Sequence, residues 1–359
     1  MNRISQRQLF FFLAFIAPVG KLVLMPSQLV FLAKNDLLFP TAVNFFVQAA
    51  VIFCVLLLAK RNQSIYQMLA NTFGKIAAKV IMCVFSLFLL YAALLPILEQ
   101  RLFVQSVFYD TLPTFVPFAP FFLFSAYLCA KPLGACGRTW DILGLVSAIG
   151  FAGILILSVG SADYQNLLPV GAAGGGGFLR GTAFTLSWFF DSAILMLFLG
   201  KIDYKKGMAW KGALCYLAGA AILIFFLATF YGIFAETAIN QPFAFSKTAK
   251  YFAGITVLGR IDYIFIFALA LVMLFYTTLP IQACIESYVQ AFGKQKYLPF
   301  GLAIALNAVL FGVSFFLRNQ IETSVRAIAD VMFWIFPIFC IVLPVLALLL
   351  RRNKKEESA

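Results

Sequence analysis

The sequence predicts an all-α polytopic membrane protein with about ten transmembrane helices, and three observations carry that class. Of the 359 residues, 63% are hydrophobic and only 11% charged, 43 are Phe, and the mean hydropathy is +0.97, which excludes a water-soluble globule. The apolar residues form long continuous runs, whereas a membrane β-barrel needs short alternating segments. At roughly 20 apolar residues per crossing, spans fall near residues 8–32, 40–59, 77–108, 112–130, 142–160, 178–200, 209–235, 261–292, 299–317 and 327–350.

The first span carries the most information. It reads Ala17-Pro18-Val19-Gly20-Lys21 at its centre, and a charge at mid-bilayer depth is treated first as functional. Pro18 and Pro26 each remove a backbone donor and Gly20 loosens the chain between them, so a helix break is expected at the charge. Broken helices at the midplane are where secondary transporters bind solutes. The opening Met1-Asn2-Arg3 is followed by no small-residue cleavage site, so the span is expected to be retained.

The second span is plainly apolar. The third contains Pro96, Glu99 and Arg101; the two charges, two residues apart on a helix, point in different directions and cannot simply pair. One is expected to face a solute pathway as a coupling or gating group, and Arg101 to snorkel to the outer interface. The fourth and fifth spans carry no intramembrane charge. After them, Gly171-Ala172-Ala173-Gly174-Gly175-Gly176-Gly177 is expected to be a flexible outer loop. The sixth contains Trp188, Phe189, Phe190 and Asp191 with neither Gly nor Pro beside them. Asp191 is a candidate receiver of a ligand ammonium within an aromatic wall, although such rings are as readily ordinary packing or lipid-facing residues. The eighth contains Pro280 and Glu286; the latter is a candidate proton carrier or gate, or else an acid exposed at the inner interface near Lys294. The tenth span leads into a basic tail, 351–359, of a single transmembrane domain, 1–359.

With a cytoplasmic N-terminus, 18 of the 27 basic residues fall in inner segments, so the positive-inside bias predicts that both termini are cytoplasmic and that the net charge of +13 is largely topological. No extramembrane segment is long enough to present a nucleic-acid-binding face. The seven cysteines lie in or beside spans and read as reduced packing residues. The chain has no His, so neither a common metal site nor a Ser/His or Cys/His catalytic arrangement can be built; no cofactor, no metal and no enzymatic activity are expected.

Five spans per half would make the second half enter the membrane in the opposite sense to the first, which predicts an inverted repeat of 8–160 and 178–350. Pro96 and Pro280, and likewise Lys21 and Asp191, fall at similar depths in the paired spans.

The chain resembles the B-subunit family of bacterial spore germinant receptors, the GerAB-like spore permeases of the amino acid/polyamine/organocation transporter superfamily. The resemblance rests on Ile4-Ser5-Gln6-Arg7-Gln8-Leu9, the proline-containing first span, Asp163-Tyr164-Gln165-Asn166-Leu167-Leu168-Pro169-Val170, and the basic tail. It implies the LeuT-like fold, with unwound first and sixth helices and a site for a small molecule, usually an amino acid, between them. It also implies assembly with an A-type membrane subunit and a C-type lipoprotein in the spore inner membrane. The sequence departs from the superfamily in having Val19-Gly20-Lys21 where a small-residue, glycine-rich run is usual. Lys21 is then a partner for a ligand carboxylate, a replacement for a sodium ion, or simply the neutralising partner of Asp191. Two functions share this fold: a nutrient-sensing subunit that signals to partners, which the resemblance favours, and a proton-coupled amino-acid transporter. An ion or water channel is disfavoured, since no carbonyl-filter or charge-ring sequence is present.

Overall fold

The computed structural model describes residues 3–108, 116–250, 262–293, 298–317 and 320–356. Lys294, the start of the fourth expected span and the end of the tail lie outside them. Among the described residues the fold is helical, with one isolated bridge between Ile4 and Ile202 and no strand. Among the described residues, seven helices are long and apolar enough to cross a membrane, which makes this a multi-pass membrane protein.

In chain order, α1 (Gln6–Val19) and α2 (Met25–Ala33) are the two pieces of the first expected span. They are followed by α3 (Leu38–Ala59), the short α4 (Ile65–Phe73) and α5 (Lys75–Phe108). Next come α6 (Ala119–Cys129), α7 (Leu133–Ser158), α8 (Gly174–Thr185) and α9 (Asp191–Leu197). The remainder is α10 (Met208–Phe234), the short α11 (Ala244–Ala249), α12 (Asp262–Phe292), α13 (Leu298–Phe316), α14 (Ile321–Phe336) and α15 (Leu343–Glu356). A π-helical turn, Pro337–Val342, joins the last two.

The long pair is α5, 34 residues, and α12, 31 residues, each with its proline inside the helix. At 1.5 Å per residue they reach about 50 Å, more than the ~30 Å hydrocarbon core, so they must tilt or extend beyond it. They pack against each other, α10 packs against α3, and α1 lies between α7 and α10. One contact sets how closely α1 and α10 approach. A Cβ at Gly219 of α10 would stand 2.6 Å from the Ala14 carbonyl oxygen and 2.8 Å from the Pro18 ring, and Ala14 belongs to a π-helical turn, Phe12–Ile16, within α1.

The glycine-rich stretch differs from its expectation. Only its first part is a turn; Gly174 to Gly177 begin α8. The reason is tertiary: the Asp36 carboxylate accepts the N–H groups of Gly171 (2.7 Å) and Ala173 (2.8 Å), and α8 packs closely on α2, where a Cβ at Gly177 would meet the Leu32 carbonyl at 3.0 Å. The motif Asp163–Val170 is pinned alongside, through Asn166 Nδ2 to Gly232 O (3.0 Å) and Asn35 Nδ2 to Pro169 O (2.7 Å).

The seven cysteines are free thiols, as expected. The end bearing the N-terminus is closed by polar contacts. Ile4 exchanges backbone hydrogen bonds with Lys201 (2.8 Å) and Asp203 (2.9 Å), while Arg7 and Gln8 both bind Asp141 at 3.1 Å. The hydrogen bonds and charge of Asp141 hold the Arg7 guanidinium above its ordinary pKa.

Gly219→Ala is expected to destabilise the protein by about 1–3 kcal/mol, because the methyl group meets backbone rather than a movable side chain. Thermal melting in detergent checks this; an unchanged melting temperature would show that α1 and α10 can separate freely.

Candidate functional site

Both predicted interruptions face each other inside the bundle. The first break comprises Gly20 and Lys21 in a turn and Leu22–Leu24 in a bend, and helix resumes at Met25 with Pro26 in the first turn of α2, where a missing N–H costs least. The second lies at Phe189 (φ −104°, ψ 39°) and Phe190 (φ −83°, ψ 15°), between a 3₁₀ turn, Leu186–Trp188, and α9. Since neither Gly nor Pro lies there, the cause is tertiary. Asn44 of α3 donates to the Thr182 carbonyl (3.0 Å) and to the Thr185 hydroxyl (2.9 Å), and Ser187 donates to the Ala329 carbonyl (2.8 Å). These bonds tie the segment leading into the second break to α3 and α14.

Lys21 and Asp191 join the two breaks. Lys21 Nζ lies 2.8 Å from Asp191 Oδ2 and 2.9 Å from the Ala17 carbonyl, and both side chains are fully buried. Asp191 also accepts the hydroxyls of Tyr216 on Oδ2 (2.8 Å) and Tyr276 on Oδ1 (2.9 Å). The ammonium sits 4.9 Å from the Phe189 ring centroid and 5.9 Å from those of Phe45 and Tyr276, within cation-π range. Gly20 is required by this crowding, since a Cβ there would lie 2.3 Å from the Tyr276 ring.

A second carboxylate also bridges the breaks. Glu99 of α5 accepts the Trp188 indole N–H at 2.9 Å and lies near the backbone N–H of Leu24. Of the aromatic wall foreseen around Asp191, only Phe189 therefore touches the cation; Trp188 serves Glu99, and Phe190 packs near the Tyr276 ring, 6.0 Å between centroids.

A family model described as spore germination protein matches residues 4–323. The chain belongs to the spore permease family. No curated protein matched it. The match spans both breaks, the charged residues Lys21, Glu99 and Asp191, and the rings of Phe45, Phe189, Tyr216 and Tyr276.

Several expected site residues fall elsewhere in this permease. Pro18 and Val19 end α1, with the Pro18 ring against Gly219, and do not meet the charges. Arg101 corrects its expectation: it does not snorkel to an interface but is buried, donating to the carbonyl and hydroxyl oxygens of Ser314 on α13. Because α13 supplies acceptors at the same depth, the guanidinium has no need to reach water. Glu286 is three turns past Tyr276 on α12, roughly 15 Å along the axis. There it pairs with Lys201 at 2.6 Å beside a cavity of about 600 Å³ lined also by Lys131, Gln282 and Gln290. Its proposed neighbour Lys294 lies outside the described residues.

Sequence reasoning missed Phe45, Tyr216 and Tyr276. Each sits in an apolar helix as one aromatic among many; Phe45 gave no signal, and the two tyrosines only that of a hydroxyl-bearing ring in a run otherwise rich in Phe and Leu.

Neutralising either member of the Lys21–Asp191 pair is expected to cost about 3–5 kcal/mol by leaving a buried charge uncompensated, and Lys21→Met with Asp191→Asn together is expected to cost less than the sum. Denaturation of the two single variants and the double one measures the coupling; additive losses would contradict the pairing.

Proposed function

We propose that this spore germination protein is a germinant-receptor subunit that binds an amino acid or similar small solute between the two helix breaks and passes the resulting rearrangement to partner subunits. One observation carries the reading: two interrupted helices meet in the interior around buried charges, an arrangement suited to recognising a zwitterion. Asp191 is the receiver of a ligand ammonium, with Phe189 as its ring wall. Lys21 and Gly20 frame the other side, with Pro18 and Val19 ending α1 just before the break. Glu99 couples the two breaks, Arg101 ties α5 to α13, and Glu286 with Lys201 gates the cavity end.

The same reading takes the ten expected spans as two inverted five-helix repeats, 8–160 and 178–350. It is supported by the paired breaks and by the two long proline-bearing helices that pack together. The partners are then an A-type membrane subunit and a C-type lipoprotein, in the spore inner membrane with both termini cytoplasmic. The moving parts for signalling are the short pieces α1 and α9; the segments flanking them meet through Ile4–Lys201, and Arg7–Asp141 ties α1 to α7.

A second reading, proton-coupled amino-acid transport, is favoured by the cavity at Glu286, which provides space for solute on the side of the closed end. Binding of a labelled amino-acid panel in detergent, paired with uptake into proteoliposomes with and without a pH gradient, separates the two. Saturable binding without accumulation is expected for the receptor, and binding is expected to vanish in the Lys21→Met/Asp191→Asn double variant. Gradient-driven accumulation would establish the transporter instead, and undiminished binding by the double variant would move the ligand away from the breaks.

A further inference from the structure

The surroundings of Lys21 are more elaborate than charge neutralisation requires. One carboxylate within hydrogen-bond reach is enough to neutralise a lysine. Here the ammonium has the Asp191 carboxylate, the Ala17 carbonyl, the face of Phe189 at 4.9 Å and the rings of Phe45 and Tyr276 at 5.9 Å. A carboxylate combined with converging ring faces is the chemistry by which proteins bind ammonium ligands. We propose that this is an ammonium-binding subsite whose resident occupant is the tethered Lys21 side chain, and that a ligand carrying a primary ammonium binds by displacing it.

Two features make displacement feasible. Lys21 lies in the non-helical stretch Gly20–Leu24, so its side chain and backbone can swing aside without unwinding a helix. Asp191 keeps its place when Lys21 leaves, because the hydroxyls of Tyr216 and Tyr276 still hold its two oxygens. The adjacent break repeats the arrangement with opposite charge: the Glu99 carboxylate, held by the Trp188 indole at 2.9 Å, stands near the Leu24 N–H, a donor that an incoming carboxylate would use. The chain thus fills both ends of its own site, and an amino acid would exchange its two charged groups for those of Lys21 and Glu99. The apparent affinity of the wild-type protein is then lowered by the fraction of molecules in which the tether occupies the subsite.

This inference rests on the reading of the breaks as a ligand site, and its test separates the two. Lys21→Ala keeps Cβ and removes the three outer methylenes and the ammonium, leaving a space the size of a propylammonium chain beside Asp191. n-Propylamine is expected to raise the melting temperature of purified Lys21→Ala in a saturable manner, with no comparable effect on wild type or on Lys21→Ala/Asp191→Asn. Propan-1-ol, of the same shape without the charge, is expected to do little. Lys21→Ala is further expected to bind the best amino acid of the panel roughly tenfold or more tightly than wild type. If the variant cannot be purified alone, it is expressed and purified in n-propylamine, and recovery that depends on the amine supports the subsite. A folded Lys21→Ala that ignores the amine overturns the proposal. So does equal stabilisation by propanol, a failure of the amine to recover an unfolded variant, or equal amino-acid affinity in variant and wild type. Occupation by n-propylamine with no amino acid bound by either protein would leave the subsite in place and overturn the ligand assignment alone.

Discussion

The ion pair between Lys21 and Asp191 is the constraint on which the rest of the interior depends. Removing two charges from water costs several kcal/mol each, and their attraction offsets this only when the geometry is good and the remaining donors and acceptors are satisfied. Both conditions hold: the two groups are 2.8 Å apart and surrounded by the Ala17 carbonyl, two tyrosine hydroxyls and ring faces. Neither charge is tolerable alone in an apolar bundle, so the segments that carry them must meet. That requirement places the break after α1 against the break before α9.

An interrupted helix inside a membrane exposes backbone groups that no water satisfies, and the surrounding helices answer this need. Asn44 and Ser187 tie the segment before the second break to α3 and α14, and Glu99 of α5 holds the Trp188 indole while lying near the Leu24 N–H of the first. The short α11 joins in, with the Ala244 N–H on the Val23 carbonyl at 3.4 Å. The two breaks are thus contacted by α3, α5, α11 and α14. In the proposed reading, ligand binding exchanges some of these contacts for others.

The first break was legible because its causes are local: two prolines, a glycine and a misplaced charge within one apolar run. Asp191 and Glu99 were legible for the same reason, since an acid in a hydrophobic helix has few explanations. Arg101 misled because its fate depends on whether a neighbouring helix offers acceptors at its depth, and Ser314 is more than two hundred residues away in sequence. The glycine-rich stretch misled because glycine marks flexibility in isolation but at Gly177 permits the close approach of the Leu32 carbonyl.

The amino-acid sequence by itself determined the helical membrane class, the place of the first interruption and the identity of the costly buried charges, because length, hydropathy and local backbone chemistry act over a few residues. Only the tertiary structure decided that the sixth expected span also breaks, that Phe45, Tyr216 and Tyr276 complete the surroundings of the ion pair, and that Glu99 rather than Arg101 reaches the centre. Those outcomes depend on which helix faces meet, and in a chain where nearly every helix is apolar on all sides, hydrophobic periodicity carries almost no information about facing.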